Sequence, residues 1–278
     1  LISIFQYSFM QRAFIVGILI SVITPCIGVI VVLKRMSMIG DALSHSSLAG
    51  VTAGLAFGIN PIASAVIFSI MSAFGMERIR KSFPRYSEIS IAVITSMGVG
   101  IAGILSGFVK NAASLNSFLF GSIVAITDFE LFMVIGLSVL VIFVFILLYK
   151  ELFYTTFDEE SAKFSGVPVK SINFVFTLLT AITISISSRA VGTLVISSLI
   201  VLPVASAMQI TKSYKQTVIL SIIFAVFSTI SGLYISYYAN FKPGGTIVLI
   251  GIAILIIVIF YKDVLKYIFL KKHTKSNN

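Results

Sequence analysis

This chain is short of charge. Only 11% of its 278 residues are Asp, Glu, Lys or Arg, while 58% are hydrophobic. A soluble domain of this size covers its surface with about 25% charged residues, so a soluble fold is excluded. Acid is scarcer than base, with 10 Asp+Glu against 20 Lys+Arg, and there are two histidines. Cysteine is nearly absent. Cys26 alone permits no intramolecular disulfide and no thiolate metal cluster, and in the first apolar run it reads as a buried, inert thiol. No phosphate-loop sequence and no H-E-x-x-H is present, and Gly244-Gly245 lacks the rest of a phosphate loop. The chain is therefore not expected to hydrolyse ATP or to act as a membrane zinc protease.

What is there is apolar sequence in runs of about 20 residues, each able to cross a hydrocarbon core of roughly 30 Å. Nine candidate spans follow: 13–33, 38–58, 60–76, 88–108, 129–149, 171–187, 190–210, 217–238 and 245–262. The third and sixth are the shortest, so eight or ten remain open. The fold class is all-α, a polytopic membrane protein, read as a single transmembrane domain over 1–278. The first run is too long for a signal-peptide core, and no small-residue cleavage site follows it.

The basic excess follows the membrane and is not the footprint of a nucleic-acid partner. Placing Lys34–Ser37 in the cytoplasm puts 77–87, 150–170, 211–216 and the basic tail 262–278 there too. Sixteen of the 20 cations then lie inside, leaving Arg12, Lys110, Arg189 and Lys242 outside. This positive-inside bias predicts an N-terminus outside and a C-terminus inside. Segment 110–128 is too short and polar to span and predicts short helices on the outer face. Segment 150–170 predicts a short amphipathic helix capped by Asp158 and stopped at Gly166-Val-Pro168. Asp158, Glu159 and Glu160 favour its N-terminus.

Asp41 and His45, four apart in the second span, share one helix face, with Ser44 beside them. Counted from Arg35, they lie roughly 9 and 15 Å deep. Ionisable groups at such depth face protein or a water-filled path, and a carboxylate with an imidazole suits zinc or manganese better than calcium. The alternative is structural: Asp41 as the N-cap of a broken helix, with His45 bonded to a carbonyl. His273, in the Lys-rich tail, reads as solvated, and the scattered methionines as packing. Gly103 and Gly107, in G-x-x-x-G spacing with Gly100 nearby, predict close helix packing. A gradient-driven secondary metal transporter would need more deep acids than Asp41 alone. A membrane scaffold would need no deep polar pair.

Several blocks together resemble one family. They are Phe9-Met-Gln-Arg-Ala13; Arg35-Met-Ser-Met-Ile-Gly-Asp-Ala-Leu-Ser-His45; Phe118-Leu-Phe-Gly-Ser-Ile-Val-Ala125; Asp158-Glu-Glu-Ser-Ala-Lys-Phe-Ser-Gly-Val-Pro168; Val191 through Pro203; and Gly232-Leu-Tyr-Ile-Ser-Tyr-Tyr238 through Val248. Their order resembles the permease subunits of bacterial zinc, manganese and iron ABC importers. The resemblance implies a fold like the vitamin B12-type importers. It also implies a permease homodimer in the bacterial cytoplasmic membrane, two ATPase subunits that bind ATP, and an extracellular metal-binding protein or lipoprotein. No permanent cofactor is implied, since Zn2+ or Mn2+ is cargo. Asp41 and His45 match the family's metal ligands. The loop holding Asp158, Glu159, Glu160, Ala162 and Gly166 matches its coupling segment to the ATPase. The first and last blocks look more like the zinc branch, with manganese the runner-up.

Overall fold

A computed structural model describes residues 6–83, 86–109, 112–121, 127–193 and 195–276. Among them it contains twelve helices: α1 Ser8–Leu33, α2 Ile39–Phe57, α3 Pro61–Ser82, α4 Ser87–Ser106, α5 Ala112–Phe120, α6 Asp128–Leu147, α7 Tyr149–Phe157, α8 Glu159–Phe164, α9 Val169–Val191, α10 Ile196–Met208, α11 Tyr214–Ala239 and α12 Pro243–Ser276. Helices are what apolar runs must form in lipid, because only they satisfy their own backbone. The side chains beyond Val264, His273 among them, and residues 122–126 of the third block lie outside the described residues.

Each of the nine predicted spans meets a helix. By length and composition, seven helices are long and apolar enough to cross a membrane: α1, α3, α4, α6, α9, α11 and α12. The other two predicted spans correspond to α2, diluted by Asp41, His45 and three serines, and α10, which has only 13 residues. At 1.5 Å per residue α10 is about 20 Å long, short of a full crossing. Span 190–210 is therefore broken. α9 runs on to Val191, and Gly192 turns the chain at φ 98° before α10 starts beside Gly40. Irregular backbone at that depth needs a protein partner, and α5 supplies one: the Thr193 N–H donates to Phe118 O at 3.0 Å.

Sequence signals mark the helix starts. Asn60 caps α3, accepting from Ile62 N and Ala63 N, with Pro61 at the first helical position. Thr127 and Glu130 form a capping box at α6. Both long connections contain a short helix among the described residues, α5 in the first and α8 in the second. α7 was not foreseen.

α1 is the buried centre, packed against α6, α9, α10 and α11, while α2 is enclosed by α3, α4, α9 and α10. Arg12 meets Asp128 at 2.8 Å. At the opposite end of the bundle Lys34 meets Glu159 at 3.1 Å, and Lys262 donates to Gln209 at 3.0 Å. These pairs join segments that the charge argument assigns to the same face. Small residues let α4 lie close on α2. A Cβ on Gly98 would sit 2.8 Å from the His45 carbonyl carbon and 2.9 Å from Ser46 N. The expected packing at Gly103 and Gly107 is not made among the described residues: a Cβ on Gly103 meets nothing there, and one on Gly107 meets only Ile104 O of its own helix.

Candidate metal pathway and coupling segment

Asp41 and His45 come together. Asp41 lies in the first turn of α2, and its Oδ1 is 3.7 Å from His45 Nε2. The N-cap position belongs to Met38, which makes no side-chain cap bond, so Asp41 is not the cap of α2. Ser44 turns its hydroxyl back to Asp41 O at 2.8 Å and is buried, so it is occupied by the backbone. The two candidate donors stay accessible, at 40% for Asp41 and 22% for His45. Their separation suits one ion: two bonds of about 2.1 Å meeting near the tetrahedral angle span roughly 3.4 Å. No cluster of three His, Cys, Asp or Glu side chains exists among the described residues. Asp41 and His45 thus present two possible donors, half the count of a tetrahedral shell. Cys26 is buried, with its thiol directed to Val22 O at 3.2 Å.

Asp41 opens onto a cavity of ≈ 650 Å³ between α2 and α4, lined also by Arg35, Ser37, Glu88, Thr95 and Ser96. Glu88 was not singled out from the sequence. Near the start of a span it reads as an ordinary helix-end acid, and only the packing of α4 on α2 brings it to Asp41.

The second predicted site is α8. Asp158 is extended, and its carboxylate accepts from Glu160 N and Ser161 N at 3.0 Å and from the Ser161 hydroxyl at 2.5 Å. These bonds hold its pKa below the usual carboxylate value, the Ser161 hydroxyl foremost. Ala162 is buried, Gly166 adopts φ 84°, and the Val167 N–H closes on Ala162 O at 3.0 Å. Glu160 is exposed, whereas Glu159 is tied down. Lys34 Nζ, at the end of α1, reaches Glu159 Oε1 at 3.1 Å and Asn173 Oδ1 at 2.9 Å. Asn173 also donates to Glu159 at 3.1 Å. Partial burial pushes the Glu159 pKa up, but Lys34 and Asn173 outweigh it and hold it below the usual value. A cluster of three residues therefore ties α8 to the ends of α1 and α9. No local pattern signals this cluster, since Lys34 and Glu159 are 125 positions apart. Phe164, the last residue of α8, is 90% exposed.

Comparison with known proteins decides the family. Residues 6–262 match the ABC 3 transport family. This chain belongs to the ABC 3 transport family. A probable metal transport system membrane protein of Treponema pallidum is 36% identical over 256 residues, covering 91% of this chain and 96% of that protein. The manganese transport system membrane protein MntC of Listeria monocytogenes is 30% identical, covering 97% and 96%. The high-affinity zinc uptake system membrane protein ZnuB of Haemophilus influenzae is 29% identical, covering 93% and 99%. Among solved structures, PsaBC from Streptococcus pneumoniae in complex with Fab superposes with a TM-score of 0.85 at 29% identity, covering 95% of this chain and 96% of that one. The ABC permease fold expected from the resemblance is thus the fold found.

Proposed function

We infer that this ABC 3 family member is the permease subunit of an ATP-driven importer of a divalent transition metal. We propose zinc as the cargo. The observation that carries the reading is the Asp41–His45 pair, two donors 3.7 Å apart on one helix face, with Asp41 open to a cavity. Two copies would supply four donors, the count that a tetrahedral zinc shell needs. The face of α4 bearing Gly100, Gly103 and Gly107 has open space at each Cβ position or only its own backbone nearby. It suits a helix of the second copy. Manganese is the second reading, favoured by relatives named for manganese transport, such as the one in Listeria monocytogenes.

In this reading the whole chain is one permease domain in the bacterial cytoplasmic membrane. Two separate ATPase subunits hydrolyse ATP, and an extracellular metal-binding protein delivers the cation. The segment with Asp158, Glu159, Glu160, Ala162 and Gly166 couples the permease to the ATPase. Its exposed Phe164 suits an apolar pocket on that subunit.

The complex, reconstituted in proteoliposomes with its ATPase and binding protein, is expected to take up radioactive zinc only with ATP. Unlabelled zinc should compete at lower concentration than manganese. The reverse order would make manganese the cargo. Uptake driven by an ion gradient without ATP would overturn the ABC reading. For topology, single cysteines in a Cys26→Ala background should label at Ser82 and Ser161 from the cytoplasm and at Asn240 from outside. All three positions are exposed. Labelling of position 240 from the cytoplasm alone would reverse the assignment.

A further inference from the structure

The cavity beside Asp41 follows α4. Of that helix it is lined by Glu88, Ile91, Ala92, Thr95 and Ser96. Spacings of three, four, seven and eight put them on one helix face. Gly98, just beyond Ser96, is the residue pressed against the His45–Ser46 backbone. Glu88 lies ten residues before Gly98, roughly 15 Å along the axis. The lined face of α4 therefore starts level with His45. It runs toward the end of the bundle where Lys34, Glu77, Arg80 and Glu159 gather. Polar side chains on a membrane helix are costly against lipid and normally face protein or water. Here Glu88, Thr95 and Ser96 all face the cavity that holds Asp41.

We propose that this cavity is the cytoplasmic exit of the cation path, and that Glu88 is the second carboxylate a divalent cation meets after leaving Asp41 and His45. The proposal rests on the reading of Asp41 and His45 as cargo ligands. The charge balance of the cavity suits passage. Two carboxylates draw a dication inward, and the Arg35 guanidinium on the same wall offsets one of them, so the cation is attracted without being trapped. Thr95 spends its hydroxyl proton on Ile91 O at 2.9 Å, which leaves its oxygen lone pairs as acceptors.

Glu88 also occupies the first turn of α4, where a carboxylate favours the helix dipole. That role is indifferent to metal and separable by kinetics. In the reconstituted complex, Glu88→Asp should keep the wild-type kcat for zinc uptake. Glu88→Gln should lower kcat several-fold, and Glu88→Lys should lower it about ten-fold or more, as a like charge opposes the cation. Binding of zinc to the purified variants, measured by equilibrium dialysis, should stay within about two-fold of wild type, because Asp41 and His45 are untouched. A dipole role alone would move Tm and leave kcat in place. Wild-type kcat in Glu88→Gln and Glu88→Lys overturns the proposal, and Glu88→Gln decides if the lysine variant fails to assemble. Asp41→Ala, assayed alongside, separates the two readings. If it binds and transports zinc normally, the cargo-ligand reading fails. If it is inactive while Glu88→Lys transports normally, the exit assignment alone fails.

Discussion

Replacing His45 with alanine is expected to lower zinc uptake by the reconstituted complex by roughly a hundred-fold. Loss of a partner that merely supports a metal ligand already costs about ten- to a hundred-fold, and on the proposed reading a ligand itself is removed. In a two-copy site the change deletes two of four donors at once. The fold should survive. The imidazole is partly exposed and meets the half-exposed Asp41 carboxylate, so alanine leaves neither a packed cavity nor a stranded buried partner. The close approach of α4 depends on the His45 backbone against Gly98, which alanine preserves. The measurement is initial uptake rate at matched expression, with gel filtration of the purified complex as the control for folding. Undiminished uptake by a well-folded His45→Ala complex would make the ligand assignment wrong, whatever the cargo.

That pair was legible in the sequence because the membrane makes polar residues conspicuous. Asp and His four apart inside an apolar run can share a helix face in only one way, and the helix itself is enforced by lipid. The spans were legible for the same reason. What escaped was whatever composition does not mark. The break before α10 falls in Val191-Gly-Thr-Leu-Val-Ile196, an apolar stretch without charge or proline, so hydropathy runs straight across it. α7 escaped because Tyr149–Phe157 mixes Lys150, Glu151 and two threonines with aromatics, so it reads neither as a span nor as a capped helix, and a turn at Leu148 sets it off from α6.

Glycine spacing pointed to Gly103 and Gly107, yet the α4 glycine pressed against a neighbouring helix among the described residues is Gly98. A small-residue pattern says that a helix can be approached, not which neighbour approaches it. Glu88 and the Lys34–Glu159–Asn173 cluster depend on contacts between distant segments, and a single sequence carries no signal of those. The Asp158 cap, by contrast, was readable, because a carboxylate followed by a short charged helix and a Gly-x-Pro stop is a local pattern with local physics.

Substituting Ala162 with proline should uncouple the transporter. Ala162 sits in the last part of the first turn of α8, where its N–H donates to Asp158 O at 3.1 Å. Proline removes that donor, and its ring clashes with the same carbonyl, at a cost of about 3 kcal/mol in a helix interior. α8 has six residues and cannot absorb the loss by fraying at one end. Ala162 is also buried, and its carbonyl receives the Val167 N–H that closes the helix, so the Gly166 stop and the position of exposed Phe164 would shift together. The membrane helices need not follow. Asp41 and His45 lie on α2, and α8 touches the bundle chiefly through α7, α9 and the Lys34–Glu159 pair. Metal binding to the purified permease should therefore persist while zinc-stimulated ATP hydrolysis in proteoliposomes falls to its unstimulated level, or the ATPase no longer co-purifies. Ala162→Ser, which keeps the N–H and adds little volume, should couple nearly as well as wild type. If Ala162→Pro retains both ATPase association and zinc-stimulated hydrolysis, force from the ATPase enters the permease somewhere other than α8.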